Sequence, residues 1–177
     1  MASILSHPAI PLGITAAFGT RIIPPRLAVL GAICSVLPDL DSIGFRVGIP
    51  YGHPLGHRGF SHSIVFALLV AVASALSHRR LHTSARIAFL FAFASTASHG
   101  VLDALTTGGL GVAFFSPVSN QRYFLPWRVI EVSPISVTAF LSTWGRRVLF
   151  SELKWVWAPS SALGLMGIAL RSMRGSA

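Results

Sequence analysis

The chain is predicted to be all-α: a polytopic helical membrane protein with about five to six membrane-embedded helices, some short or re-entrant. Three observations predict it. Hydrophobic residues make up 53% of the 177 positions and charged residues only 11%, against roughly 25% charged in an average soluble domain. The uncharged residues gather in long runs rather than alternating one by one. An open sheet cannot satisfy its backbone in lipid, and no barrel-like alternation is present. The same composition excludes intrinsic disorder. The length suits one membrane-embedded domain, 1–177.

Charge-free runs mark the embedded segments, with His counted as neutral: 1–20, 27–38, 59–78, 87–102, 104–121, 132–145 and 155–170. A full span takes about 20 residues. The run 59–78 meets that length, and 87–102 meets it if Asp103 ends its helix. The run 27–38 is short. The run 104–121 holds Gly108, Gly109, Gly111 and Pro117, which predicts a surface or re-entrant loop. The last two runs suit two short spans or one helical hairpin. No basic residue precedes Arg21, so the segment before it does not read as a secretory signal.

There are 14 Lys and Arg against 5 Asp and Glu. The basic residues are scattered singles and pairs without a stripe, so nucleic-acid binding is not expected and a topology signal is. If the runs alternate across the membrane, Arg21, Arg26, Arg79, Arg80, Arg86, Arg146, Arg147 and Lys154 share one face. That face is expected to be cytoplasmic. The single cysteine, Cys34, lies in an apolar run and reads as a packing residue.

The other ionisable residues gather toward the opposite face, in PDLD (38–41), HRGFSHS (57–63) and SHGVLD (98–103). Charge near a membrane core is costly and usually functional. His99 and Asp103 stand four apart, hence on one helix face. Ser61 reads as the N-cap of the following helix, with His62 in its first turn and His57 in the loop before it. Pro38 predicts a helix boundary at Leu37. Imidazole and carboxylate together suit zinc, manganese or iron. His7, Asp39, Asp41, His57, His62, His99 and Asp103 are the candidate ligands, enough for a site of two ions. Each alone has a plain alternative: a helix-end carboxylate, or a hydrogen-bonded core histidine. Convergence of three such groups on one face is what points to a metal. Zinc is favoured, as one ion or two. Arg58 and Arg122 are expected to steady an anionic substrate. His53 reads as solvated, and His78 and His82 belong to the basic loop.

The order PDLD, HRGFSHS, SHGVLD, then a Gly-rich stretch ending in FFSP (114–117), resembles the YdjM family over about 7–126. Its members are described as LexA-regulated inner-membrane, metal-dependent hydrolases. The HRG-x-[ST]-HS core is the specific part of the likeness. The resemblance implies metal ligation by Asp39, Asp41, His57, His62, His99 and Asp103, with His7 as the early histidine, and a bacterial inner-membrane location. A more distant likeness is to zinc-dependent phospholipase C and P1-type nucleases, which share the HxxxD spacing of His99 and Asp103; their later HxxxE is absent here.

The resulting expectation is a membrane-bound metal-dependent hydrolase with its site toward the extracytoplasmic face. It would cleave a phosphoester, a lipid-linked one in preference, with Asp39, His57, Arg58 and Asp103 acting in catalysis. The rival is a metal-binding membrane protein without catalysis, a transporter or sensor.

Overall fold

A computed structural model describes residues 1–134 and 136–175. Helices dominate. They are α1 Ala9–Phe18, α2 Pro25–Val36, α3 Ile64–Leu76, α4 Ala85–Ala104, the single turn α5 Val137–Phe140, α6 Thr143–Glu152 and α7 Ala158–Gly175. Among the described residues no strand forms, and two isolated bridges, Thr106 with Ile130 and Val112 with Tyr123, tie the loops together.

Local chemistry sets the helix ends. Pro24 and Pro25 open α2, Pro25 at a first-turn position where a missing N–H is harmless. Ser84 Oγ accepts from Ile87 N–H at 3.2 Å and caps α4. The cap of α3 is Ser63, which accepts from Phe66 N–H at 3.1 Å, and not Ser61 as the spacing suggested. The reason is a 3-10 turn, Phe60–His62, inserted ahead of the helix. The predicted boundary at Leu37 is also softer than expected: α2 ends at Val36, but the chain continues as a 3-10 helix, Leu37–Val47.

Two helical stretches are long and apolar enough to cross a bilayer, Pro25–Val47 and Ala85–Ala104. That is fewer than the five to six embedded helices expected. At 10 and 13 residues, α1 and α3 are apolar but short, about 15 and 20 Å at 1.5 Å per residue. The run 132–145, expected as a short span or one arm of a helical hairpin, contains only α5 and the start of α6; its residue Ile135 lies outside the described residues. The run 155–170 is instead the continuation of α6, which passes through a π-helical turn, Leu153–Trp157, into α7. The loop 104–121 is a loop, as its glycines and proline predict.

α1 and α7 pack in parallel. Their contact is lined by small residues: a Cβ on Gly13 would stand 2.6 Å from the Ser160 carbonyl oxygen, and one on Gly164 2.9 Å from the Ala16 Cβ. The register continues to Arg171, whose guanidinium donates to the carbonyls of Ala16 and Ala17 at the end of α1. α3 and α4 pair across the short loop carrying Arg79 and Arg80, with Arg86 in the first turn of α4, and α4 also packs on α2. Gly31 on α2 faces Phe91 and Ser95 of α4.

These directions sort the charges. Arg171 and Arg174 share the end of Arg21 and the 79–86 loop. Arg146 and Arg147 do not, because Glu152 of the same helix bonds Ser3 and Ser6 at the other end. Strict alternation of the runs puts Arg146 and Arg147 on the face of Arg21 instead. The physical reason is the missing turn between 145 and 155: α6 and α7 form one helical rod rather than a hairpin.

Replacing Gly13 by Val should drive α1 off α7. Overpacking of this kind costs about 1–3 kcal/mol, read as a lower thermal unfolding midpoint in detergent.

Candidate metal centre

Three elements bring four polar side chains to one end of the bundle. Asp39 comes from the 3-10 stretch after α2, His62 from the turn before α3, His99 and Asp103 from adjacent turns of α4. One donor atom from each of these four lies within 4.8 Å of the others. His62 Nε2 and His99 Nε2 are 3.0 Å apart. Asp39 Oδ1 is 3.3 Å from His99 Nε2 and 3.8 Å from His62 Nε2. Asp103 Oδ2 is 3.5 Å from His62 Nε2. Gly100 leaves room for the approach, since a Cβ there would stand 3.0 Å from the His62 carbonyl oxygen.

Partners on the far side of each ring assign the lone pairs. His99 Nδ1 lies 2.7 Å from the Ser35 carbonyl oxygen, which only accepts, so Nδ1 carries the hydrogen. His62 Nδ1 lies 3.1 Å from Asp41 Oδ2 and is read the same way. Both Nε2 atoms then present lone pairs to the same point, an arrangement that needs a proton or a cation between them. A carboxylate or carbonyl behind a ligating imidazole is the usual second layer of a metal site.

His7 and Asp39 complete the fit. Both nitrogens of His7 and both oxygens of Asp39 are buried with no hydrogen-bond partner. Unpaired buried polar atoms are expensive, and here two such groups face one cluster. His7 Nε2 stands 3.8 Å from Asp103 Oδ1 and 4.0 Å from Asp39 Oδ2, and its ring stacks on His99 with centroids 3.7 Å apart. Burial, reinforced by the neighbouring His99, holds the His7 imidazole down to about 3, so it is neutral and free to ligate. Donor separations of 3.0–4.0 Å suit atoms sharing one ion at bonds of about 2 Å. The donor set fits a divalent transition metal.

Asp41 sits one layer out. Its Oδ1 is 2.7 Å from His57 Nδ1, and its Oδ2 accepts from Ser61 Oγ at 2.5 Å and Arg58 N–H at 3.2 Å as well as facing His62. It aligns two imidazoles at once. Asp41, His57 and His62 form a second group with the spacing of ligands.

Arg58 is wholly buried. Nε donates to Asp103 Oδ2 at 3.0 Å, Nη1 to the Gly108 carbonyl at 2.9 Å and Nη2 to Thr106 Oγ1 at 2.9 Å. The expected substrate contact is therefore replaced by an internal one: this guanidinium joins the Gly-rich loop to α4. Its backbone has φ 63°, unusual for a residue with a side chain, and the surrounding bonds hold it there. Arg122 likewise binds protein carbonyls, those of His57 at 2.8 Å and Tyr51 at 2.9 Å, and clamps the 51–57 loop. Phe114 O accepts from Ile64 N–H at 3.0 Å, so the FFSP stretch docks on HRGFSHS. His53 is exposed, and His78 and His82 stay with the basic loop. Sequence reasoning missed Thr106 and Ser61 as partners of the cluster, and Glu152 altogether.

An apolar helical chain with a buried His/Asp cluster at one end of its bundle defines a membrane protein with a candidate metal centre. The profile of the YdjM inner membrane protein family matches residues 1–176, and the chain belongs to that family. It is 42% identical over 164 residues to inner membrane protein YbcI of Escherichia coli (strain K12), covering 92% of this chain and 95% of that protein. No solved structure matches it.

Two predictions follow the geometry. Burial opposes a charged His62, but the carboxylates of Asp103 and Asp41 outweigh it and lift the imidazole to about 9. Metal uptake at neutral pH must then expel that proton. Apparent metal affinity should rise with pH, about tenfold per unit, and level off near pH 9, as measured by chelator competition. Arg58→Ala should leave the buried Asp103 without its guanidinium partner, a loss of about 3–5 kcal/mol, read as a lower thermal midpoint, with Arg58→Lys intermediate.

Proposed function

We propose that the protein is a membrane-bound metal-dependent hydrolase that cleaves a phosphoester, with its metal centre toward the extracytoplasmic face. The observation that carries the reading is the pairing of orphaned His7 and Asp39 with two converging imidazole lone pairs. Asp39, His62, His99 and Asp103 would hold the ion, zinc in preference to manganese or iron, with His7 as a further ligand. A bound divalent ion supplies polarisation of a phosphoryl oxygen and acidification of a water molecule.

The chain's own residues account for the rest. Asp41 takes the Nδ1 hydrogen of His57, which leaves His57 Nε2 free to accept a proton as a general base. If a second ion is bound, Asp41 and His57 are its nearest ligands. Arg58 fixes the orientation of Asp103. Arg122 shapes the 51–57 loop over His57.

A lipid-linked substrate is supported by the loops at this end. Val47, Leu55, Val118 and Trp127 are 72%, 60%, 91% and 77% exposed. Apolar loop residues this open suit a surface lying in the headgroup region. The orientation is supported by the short connection at the opposite end, with Arg79 and Arg80 in its loop and Arg86 in the first turn of α4.

The second reading, a metal-binding protein without catalysis, is favoured by one fact. His7, Asp39, His62, His99 and Asp103 are all between 0% and 6% exposed, and structural metal sites are closed where catalytic ones keep an open position. A cleft of about 590 Å³ lies instead between α1 and α7, lined by Leu12, Phe18 and Arg171.

Metal-loaded protein in detergent should hydrolyse lipid phosphoesters faster than soluble nucleotides or sugar phosphates. His57→Ala should abolish turnover while retaining metal. Turnover of the soluble set alone would remove the lipid assignment, and none at all with metal retained would favour the second reading. In cells, with Cys34 replaced, a cysteine at 53 should react with an external thiol reagent and one at 82 should not; the reverse pattern inverts the orientation.

A further inference from the structure

Glu152 belongs to none of the motifs, yet it is completely buried at the end of α6. A carboxylate sunk in an apolar bundle calls for a function. No cation pairs with it among the described residues. Its oxygens accept instead from Ser3 N–H, from Ser3 Oγ at 2.6 Å and from Ser6 Oγ at 2.8 Å. Ser6 Oγ in turn accepts from Trp157 Nε1 at 3.1 Å. Ile4 and Leu5 point outward, 55% and 56% exposed, so polar bonds and not apolar burial hold the middle of this turn.

Both ends of the turn enter the metal centre. Ala2 N–H donates to Asp103 Oδ1 at 2.8 Å. His7 stacks on His99 with its nitrogens unpartnered. We propose that Glu152 is a positioning residue: by gathering Ser3 and Ser6 it seats His7 as a ligand of the metal centre. The proposal rests on the metal reading above. Removing the carboxylate strands three donors and frees the turn to carry His7 away. Glutamine keeps one acceptor for Ser3 N–H, and its amide can donate to a serine hydroxyl.

The test measures zinc affinity by chelator competition and the visible absorption of the cobalt(II)-loaded protein. Glu152→Ala should bind zinc about 10–100-fold more weakly, and its cobalt spectrum should match that of His7→Ala rather than wild type. The double variant should bind no more weakly than either single one, because both act through one ligand. Glu152→Gln should recover most of the affinity. Unchanged affinity and spectrum in Glu152→Ala, with His7→Ala altered, overturns the proposal, as does an additive loss in the double variant. If Glu152→Ala loses its helical circular dichroism, Ser6→Ala decides. It should weaken zinc binding in the wild-type background but not in His7→Ala, and equal losses in both backgrounds, or none in either, overturn the proposal. A wild-type protein that takes up neither zinc nor cobalt overturns the metal reading itself and this proposal with it. Metal-binding wild type with unaffected Glu152 variants overturns this proposal alone.

Discussion

Asp103 and Arg58 form an ion pair with both side chains out of reach of solvent. A buried charge is tolerated only when it is paired and hydrogen-bonded, and this pair recruits its neighbours to meet that demand. Arg58 takes in Thr106 and Gly108 beyond α4, and Asp103 takes in the N–H of Ala2. Three stretches far apart in the chain are thereby fixed on the last turn of one helix. His62 and His99 meet beside the pair, their Nε2 atoms 3.0 Å apart. The loop arginine once expected at a substrate is better understood as the internal counterweight that lets an acid stand among apolar helices.

Much of the site was legible because helix period and burial are local matters. The four-residue spacing of His99 and Asp103 survives in α4, and Asp39 and His62 fall beside it as their motifs suggested. The fold was legible at the level of helices without strands. The number of spans was not, since an uncharged run says nothing of where a helix stops: α1 and α3 end early, and α6 runs into α7 where a hairpin was equally consistent. Roles that depend on tertiary partners were also hidden. Ser61 looks like a cap until Asp41 is seen to take its hydroxyl. Glu152 is a lone acid near Arg146, Arg147 and Lys154, and only the fold reveals that its partners are serines almost the whole chain away.

The two ends of the bundle differ in kind. At one, exposed arginines sit on short loops and cap helix carbonyls, as Arg171 does for α1. At the other, beside the exposed Arg146 and Arg147 of α6, acids and imidazoles are buried and the loops are pinned by side chains, with Arg122 holding 51–57 and Arg58 holding 106–108. The helices between supply little polar chemistry; they set the spacing at which the buried groups meet.

The parallel packing of α1 on α7 has a consequence for biosynthesis. Helices α2 to α4 contact near neighbours in the chain and can associate as soon as α4 has left the ribosome. The turn around His7 can then meet α4, through Ala2 with Asp103 and His7 with His99, but it still lacks Glu152 and the surface of α7. The N-terminal helix, which touches α2 and α4 as well, gains its partner α7 only after more than a hundred further residues, and closing so long a loop is slow. Through that interval the turn around His7 lacks the acceptor that gathers Ser3 and Ser6. The seat of His7 is therefore completed only when the last of the described helices arrives.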